Sequence, residues 1–141
     1  MDPRTMLRLG YGLVPIVAGA DKFTNRLTDW EQYLSPALER ALPVRPRTLM
    51  KLVGLVEIAA GLTVLSPLRK TGAWLVSGWL AAITVNLLTT GKYFDIAARD
   101  ALLAVGALAL ARLDEQPQRR AELPAEPARM RTEFATAPAV H

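Results

Sequence analysis

Six polar residues lie inside or at the edges of long apolar segments, where each needs a partner. They are Lys22, Glu57, Asn86, Asp95, Arg99 and Asp100. With Asp21, their ionisable groups carry four negative charges against two positive ones. This surplus of acid predicts a carboxyl group that is protonated, hydrogen-bonded to Asn86 or to a water, or available to a cation.

The long side chain of Arg99 is expected to reach Glu57, directly or through a water. Asp95 lies four residues before Arg99, in the acid-first order that favours a pair on one helix face. We therefore expect Arg99 to contact Asp95 or Asp100 as well. Gly54, Gly61 and Gly78 are expected to wall this region, because small residues allow helices to approach closely.

Two interpretations of these charges remain open. One is a proton or cation site, or a polar pocket for the headgroup of a quinone-like lipid, because buried ionisable groups often mark functional sites. The other is an ion-paired network that fixes the register of the helices and binds no ligand.

Composition removes several other chemistries. The chain has no cysteine, and its single histidine, His141, is the last residue. Disulfides, thiol nucleophiles, cysteine-based zinc sites and imidazole catalysis are therefore excluded or unexpected. No metal-ligand spacing, phosphate loop or nucleophile elbow appears, so we expect no metal and no catalysis by this chain alone.

Four apolar segments must position these residues: 6–23, 49–67, 71–91 and 93–113. The third has no charge between Lys70 and Lys92, and at about 1.5 Å per residue it spans the roughly 30 Å of a bilayer core. The links after the second and third segments are short, which predicts antiparallel neighbours. We expect an all-α fold, an integral membrane antiparallel four-helix bundle over residues 1–113. A soluble bundle is less consistent with the pattern, because the third segment has no polar stripe.

Two further regions complete the chain. A helical segment is predicted over residues 25–46. The signals are a capping box at Thr28 and Glu31 and a second N-cap at Ser35 before Pro36. The segment would lie in the membrane interface, or else pack on the bundle as an ordinary connection. Residues 114–141 are polar and rich in proline, which predicts a disordered tail.

The net charge of +4 comes from scattered basic residues beside apolar runs, a pattern that favours a lipid bilayer over nucleic acid as partner. Slightly more of the basic residues fall on the side that holds both termini. We therefore expect the termini in the cytoplasm.

The motifs LGYGLVPIVAGADKF, LVGLVEIAAGLTVLSP and YFDIAARDALLAVGALALARL resemble the DoxX-like family of small bacterial membrane proteins. The resemblance covers residues 6–113 and rests on Gly19, Lys22, Glu57 and Gly61, with Asp95, Arg99 and Asp100 matching a subfamily-like run. It implies a four-helix protein of the bacterial inner membrane. Founding members are implied to be membrane subunits of thiosulfate:quinone oxidoreductase, and others accompany oxidoreductases as accessory subunits. Because the chain has no cysteine, it cannot carry out a version of that activity in which sulfur is relayed through thiols.

The expected function is thus that of an accessory or anchoring subunit of a membrane oxidoreductase. The expected site would take quinone as a non-covalently bound cofactor. The partners would be the bilayer and another membrane protein or a second copy of the chain. The alternatives are a small proton-coupled or ion-coupled transport unit and a purely structural or lipid-interacting protein.

Overall fold

The computed structural model describes residues 1–122, with side chains as far as residue 116. Five α-helices follow one another, and the described residues form no strand, so the predicted all-α class is confirmed. The helices are α1 (Pro3–Asp21), α2 (Pro36–Ala41), α3 (Pro46–Leu65), α4 (Arg69–Thr89) and α5 (Phe94–Glu122), and a short 3-10 helix (Trp30–Tyr33) precedes α2.

Local capping explains how the segment between α1 and α3 folds. The predicted cap at Ser35 is confirmed, because its side chain accepts a hydrogen bond from the Leu38 amide at 3.1 Å. The predicted capping box at Thr28 is wrong. Asp29 caps the 3-10 helix instead, accepting from the Glu31 amide at 3.2 Å. Pro36 disfavours a helical conformation for the preceding residue, Ser35, which is extended, so the segment divides into two short helices.

The packing of α1 on α3 depends on glycine. A Cβ atom added to Gly54 would lie 2.5 Å from the carbonyl oxygen of Gly19, and one added to Gly61 would clash with the carbonyl oxygen of Gly12. The pairing of Gly19 with Gly54 and of Gly12 with Gly61 shows that the two helices run antiparallel. Their backbones are therefore in direct contact, as small residues permit.

The remaining long helices continue this antiparallel order. Gly72 near the start of α4 lies against Val64 near the end of α3. The Ser77 hydroxyl donates to the Ala104 carbonyl oxygen across α4 and α5 at 2.9 Å. Tyr11 of α1 lies over Gly106 of α5, which brings the first and last long helices together.

Small side chains fill the interior, and large aliphatic ones face outward. The buried core residues include Ala60, Val64, Ala73, Val76, Ala97, Ala104, Ala107, Leu110 and Ala111. Large apolar residues exposed on the long helices include Leu13, Val14, Val17, Leu52, Leu55, Leu62, Leu75, Val85, Leu88, Leu102 and Val105. Gly78 also faces outward, with open space around it, so the prediction that it walls the interior is wrong.

Two of the described helices, α3 and α4, are long and apolar enough to cross a membrane. The other two long helices carry more charge: Arg8 lies within α1, and Asp95, Arg99 and Asp100 lie in the first turns of α5. The described part of the chain thus contains two candidate spans where the sequence predicted four.

Helix α5 continues through Glu122, beyond the expected boundary at residue 114. Asp114 and Glu115 are therefore helical residues that contact other helices, and they do not begin a tail. The predicted disordered tail otherwise falls on residues 123–141, which lie outside the described residues.

Candidate functional site

A buried ion pair joins α1 to α3. The Lys22 ammonium donates to Glu57 Oε2 at 2.6 Å, and the two side chains are only 4% and 8% exposed. Lys22 directly follows α1, while Glu57 lies near the middle of α3. Gly19 and Gly54 each precede one of these residues by three positions. The close approach of the two backbones therefore brings the charges together.

The structure pairs Glu57 with Lys22 and does not place Arg99 on it, so that part of the prediction is wrong. The Arg99 side chain is 65% exposed, and its Nε donates to Asp100 Oδ1 at 3.1 Å. The alternative contact between Arg99 and Asp100 is therefore confirmed. Successive residues of a helix point about 100° apart, so Arg99 faces outward where Asp100 faces inward.

Asp100 and Trp79 add groups from the other two long helices. The Asp100 side chain is 9% exposed, so it faces the interior from α5. The Trp79 indole nitrogen is buried beside Glu57 but makes no hydrogen bond of normal geometry with the described residues. We call Lys22, Glu57, Trp79 and Asp100 the polar cluster. Each comes from a different long helix or, for Lys22, from its end.

Trp30 covers one side of this cluster. The Lys22 Nζ atom lies 3.6 Å from the centroid of the Trp30 ring, a cation–π contact. The Trp30 indole N–H donates to Asp21 Oδ2 at 2.8 Å. The Asp21 carboxylate also accepts from the backbone amides of Arg26 and Leu27, each at 3.0 Å. Asp21 therefore organises the turn after α1 and does not belong to the polar cluster.

Asn86 holds the segment that carries Trp30. Its Oδ1 accepts from the Ser35 amide at 3.1 Å, and its Nδ2 donates to the Tyr33 carbonyl oxygen at 2.7 Å. The side-chain amide of Asn86 thus bonds to backbone both as acceptor and as donor. The predicted hydrogen bond from Asn86 to a buried carboxyl group is not formed. We call residues 27–42 the strap, because Asn86 fastens them over one end of the long helices.

Asp95, like Arg99, is a predicted site residue that the structure leaves on the outer surface. It is exposed in the first turn of α5. Asp95 is exposed, and the buried Asp21 carboxylate is bonded to its own loop, so the polar cluster itself holds Lys22 against Glu57 and Asp100, with Arg99 on the outer surface. The excess of acid is smaller than the sequence indicated.

A second group of charges, which sequence analysis missed, lies at the opposite end of the long helices. Arg8 of α1 pairs with Asp114 of α5, and Lys70 Nζ of α4 lies 3.6 Å from Glu115 Oε1. We call these four residues the terminal cluster. Trp74 Nε1 also donates to Glu115, at 3.4 Å. Burial alone would raise the Glu115 pKa, but Trp74, Lys70 and Arg112 together hold that pKa below its usual range.

The donor set of these clusters suits charge pairing and proton exchange. No group of three acidic, histidine or cysteine side chains in the described part of the chain is placed to hold a metal ion. Comparison with protein-family models, with curated proteins and with solved structures finds no match for this chain.

Proposed function

We propose that this chain is a small multi-pass integral membrane protein in which all four long helices cross the bilayer. The observation that carries the proposal is the outward placement of large aliphatic side chains around small interior residues. Leu62, Val85 and Leu102 represent three different helices, and each is exposed. In a soluble protein such a surface would make unfavourable contact with water, whereas in a membrane lipid tails solvate it.

The lengths of the helices support the same proposal. Helices α3 and α4 contain 20 and 21 residues, which at about 1.5 Å per residue matches the roughly 30 Å of a hydrocarbon core. The charges of α1 and α5 lie near their ends or are paired, as in Arg8 with Asp114. Paired charges and side chains that reach the interface lower the cost of membrane insertion.

The role that fits this architecture is an accessory or anchoring subunit for a membrane oxidoreductase. Its support is the DoxX-like resemblance of residues 6–113, together with polar groups that bond mainly to one another. In this proposal the protein resides in the bacterial inner membrane with both termini in the cytoplasm. Quinone would be bound by the partner or shared with it, and the outer apolar faces would contact lipid, the partner or a second copy.

The absence of cysteine from the sequence makes labelling of single introduced cysteines the direct test of topology. Leu68→Cys reports the turn between α3 and α4, and Lys92→Cys reports the turn between α4 and α5. In sealed vesicles a membrane-impermeant maleimide should label them from opposite sides. Labelling of both from the same side would contradict the antiparallel membrane arrangement.

Purification in mild detergent tests the accessory role. We expect a redox enzyme to copurify in stoichiometric amount with the tagged chain. A homo-oligomer without a companion would refute the accessory role and favour a transport unit or a structural protein. The second candidate function, a proton-coupled or ion-coupled unit, is supported by the buried charges of the polar cluster.

A further inference from the structure

We infer that the side chains of Lys70 and Arg112 bind the phosphate of an anionic phospholipid at the membrane surface on the side that holds the N-terminus. The inference rests on the proposal that the long helices cross a bilayer, and it adds the class of lipid that the surface of α4 and α5 selects. It does not depend on which enzyme accompanies the chain.

Two cations and one carboxylate meet between α4 and α5 at this end of the long helices. Lys70 Nζ lies 3.6 Å from Glu115 Oε1, and Arg112 Nη1 lies 3.5 Å from Glu115 Oε2. The Arg112 guanidinium also lies over the Trp74 ring, 5.0 Å from its centroid, in a cation–π contact. We call Lys70, Trp74, Arg112 and Glu115 the Trp74 group. Both helices contribute to it, so the group depends on the packing of α4 on α5.

The Trp74 group carries more positive than negative charge. Within the described residues, Lys70 and Arg112 share one carboxylate, that of Glu115, and each contact is longer than the about 2.8 Å of a charge-assisted hydrogen bond. The neighbouring carboxylate of Asp114 is turned inward and paired with Arg8, so it does not neutralise them. One positive charge is therefore left for an anion.

The cations of the Trp74 group are accessible. The side chains of Lys70 and Arg112 are 46% and 65% exposed, and Arg69, the residue before Lys70, is exposed as well. Helix α4 begins at Arg69 with no acidic residue in its first turn, so the partial positive charge of the helix N-terminus adds to the attraction for an anion. Guanidinium and ammonium groups both bind phosphate.

The position of the Trp74 group along α4 matches the depth of a phospholipid headgroup. Lys70 is the last charged residue before the uncharged run that extends to Lys92. Trp74 follows Lys70 by four residues and is exposed, and indole rings are enriched at the boundary between the hydrocarbon and the headgroups. In the proposed membrane arrangement the two cations thus lie at the level of the lipid phosphates.

The surface of α4 beyond Trp74 leaves room for an acyl chain. Gly78 and Ala82 follow Trp74 at steps of four residues, so the three residues share one helix face. Gly78 has open space around it, and Ala82 is exposed. A lipid whose phosphate contacts the two cations can therefore lay a chain along this face. Free phosphate makes no contact there, so the arrangement favours a lipid.

Glu115 competes with the lipid for the same two cations. Its carboxylate and the lipid phosphate are both anions, and a phosphate that reaches Lys70 and Arg112 replaces Glu115 as their partner. Removal of the Glu115 charge should therefore strengthen lipid binding. If Glu115 only joined α4 to α5, its removal would bring no such increase.

Native mass spectrometry of the full chain released from nanodiscs tests this inference. The nanodiscs contain equal amounts of phosphatidylglycerol, which is anionic, and phosphatidylcholine, which is zwitterionic, and we expect the unmodified chain to retain phosphatidylglycerol preferentially. Lys70→Gln combined with Arg112→Gln should lower this preference by about fivefold for each cation removed, and Glu115→Gln should raise it. The matched control is Arg45→Gln combined with Lys51→Gln, which removes two exposed cations from α3 and the residue before it and should leave the preference unchanged.

Equal retention of the two lipids by the unmodified protein would overturn the inference without reliance on any variant. Equal losses in the two double variants would also overturn it, because the attraction would then be spread over the whole surface. Displacement of the retained lipid by inorganic phosphate would indicate a site for free phosphate and would overturn it as well. Failure of the chain to enter nanodiscs would refute the membrane proposal itself, so the two kinds of failure are distinguishable.

Discussion

The Lys22 ammonium lies 2.6 Å from the Glu57 carboxylate at the place where the backbones of α1 and α3 touch. Their contact is possible because Gly19 and Gly54 carry no side chain. A buried pair formed in this way couples helix packing to charge, because the loss of either partner leaves the other as an unpaired buried charge, which is costly.

Removal of one partner should therefore strongly destabilise the fold. Lys22→Met or Glu57→Gln should lower the free energy of unfolding by about 3 to 5 kcal/mol, because a buried charge is left unpaired. The double variant should lose less than the sum of the two. The measurement is unfolding in mixed detergent micelles.

The partly exposed pair of Arg47 and Glu31, whose atoms lie 3.2 Å apart, is the matched control. Arg47→Gln should cost about 1 kcal/mol or less, because water screens such pairs. Equal losses at the buried pair and at this partly exposed pair would contradict the proposed importance of burial.

The contact between Gly54 and Gly19 leads to a steric prediction. Gly54→Val places a branched side chain against the carbonyl oxygen of Gly19, and overpacking of this kind costs about 1 to 3 kcal/mol. Gly78→Val adds the same volume on an open surface. Thermal unfolding should show a loss for the first and almost none for the second, and the reverse order would refute the described packing.

The two bonds of Asn86 predict a local effect on the strap. Asn86→Ala leaves the Ser35 amide and the Tyr33 carbonyl without their partner, which should cost about 1 to 3 kcal/mol. Hydrogen exchange at Ser35 should accelerate, while exchange in the middle of α3 should not change. Gln32→Ala, at the exposed part of the strap, is the control. Unchanged protection of the Ser35 amide in Asn86→Ala would show that the hydrogen bonds of Asn86 do not hold the strap in place.

Glu115 predicts a dependence of stability on pH. Its pKa is held below the usual range, so it binds a proton less readily in the folded state than in the unfolded one. It therefore stabilises the fold above the unfolded-state pKa, and this contribution disappears as the pH falls through the folded-state pKa. The difference in thermal midpoint between the unmodified protein and Glu115→Gln should shrink in acid. A difference that grows in acid would have the wrong sign.

The sequence was sufficient for the helical class and for the Ser35 cap, but it misplaced Arg99 and Asp114. Apolar length alone does not say which face of a helix is buried. Leu110 is buried on α5 beside buried small and acidic side chains that recur at alternating steps of three and four: Ala97, Asp100, Ala104, Ala107, Ala111 and Asp114. That repeat places Asp100 and Asp114 inside and Arg99 outside. The partner of Glu57 required the tertiary contact of Gly19 with Gly54, which no local pattern specifies.

Nitroxide accessibility at Leu102 tests the membrane account most directly. Leu102 is 74% exposed on α5, and in the proposed arrangement it faces lipid tails. A spin label on Leu102→Cys in reconstituted vesicles should relax strongly with oxygen and weakly with a water-soluble nickel chelate, whereas a label on Lys92→Cys should show the opposite preference. Strong relaxation of the Leu102 label by the nickel chelate would place this face in water and contradict the account.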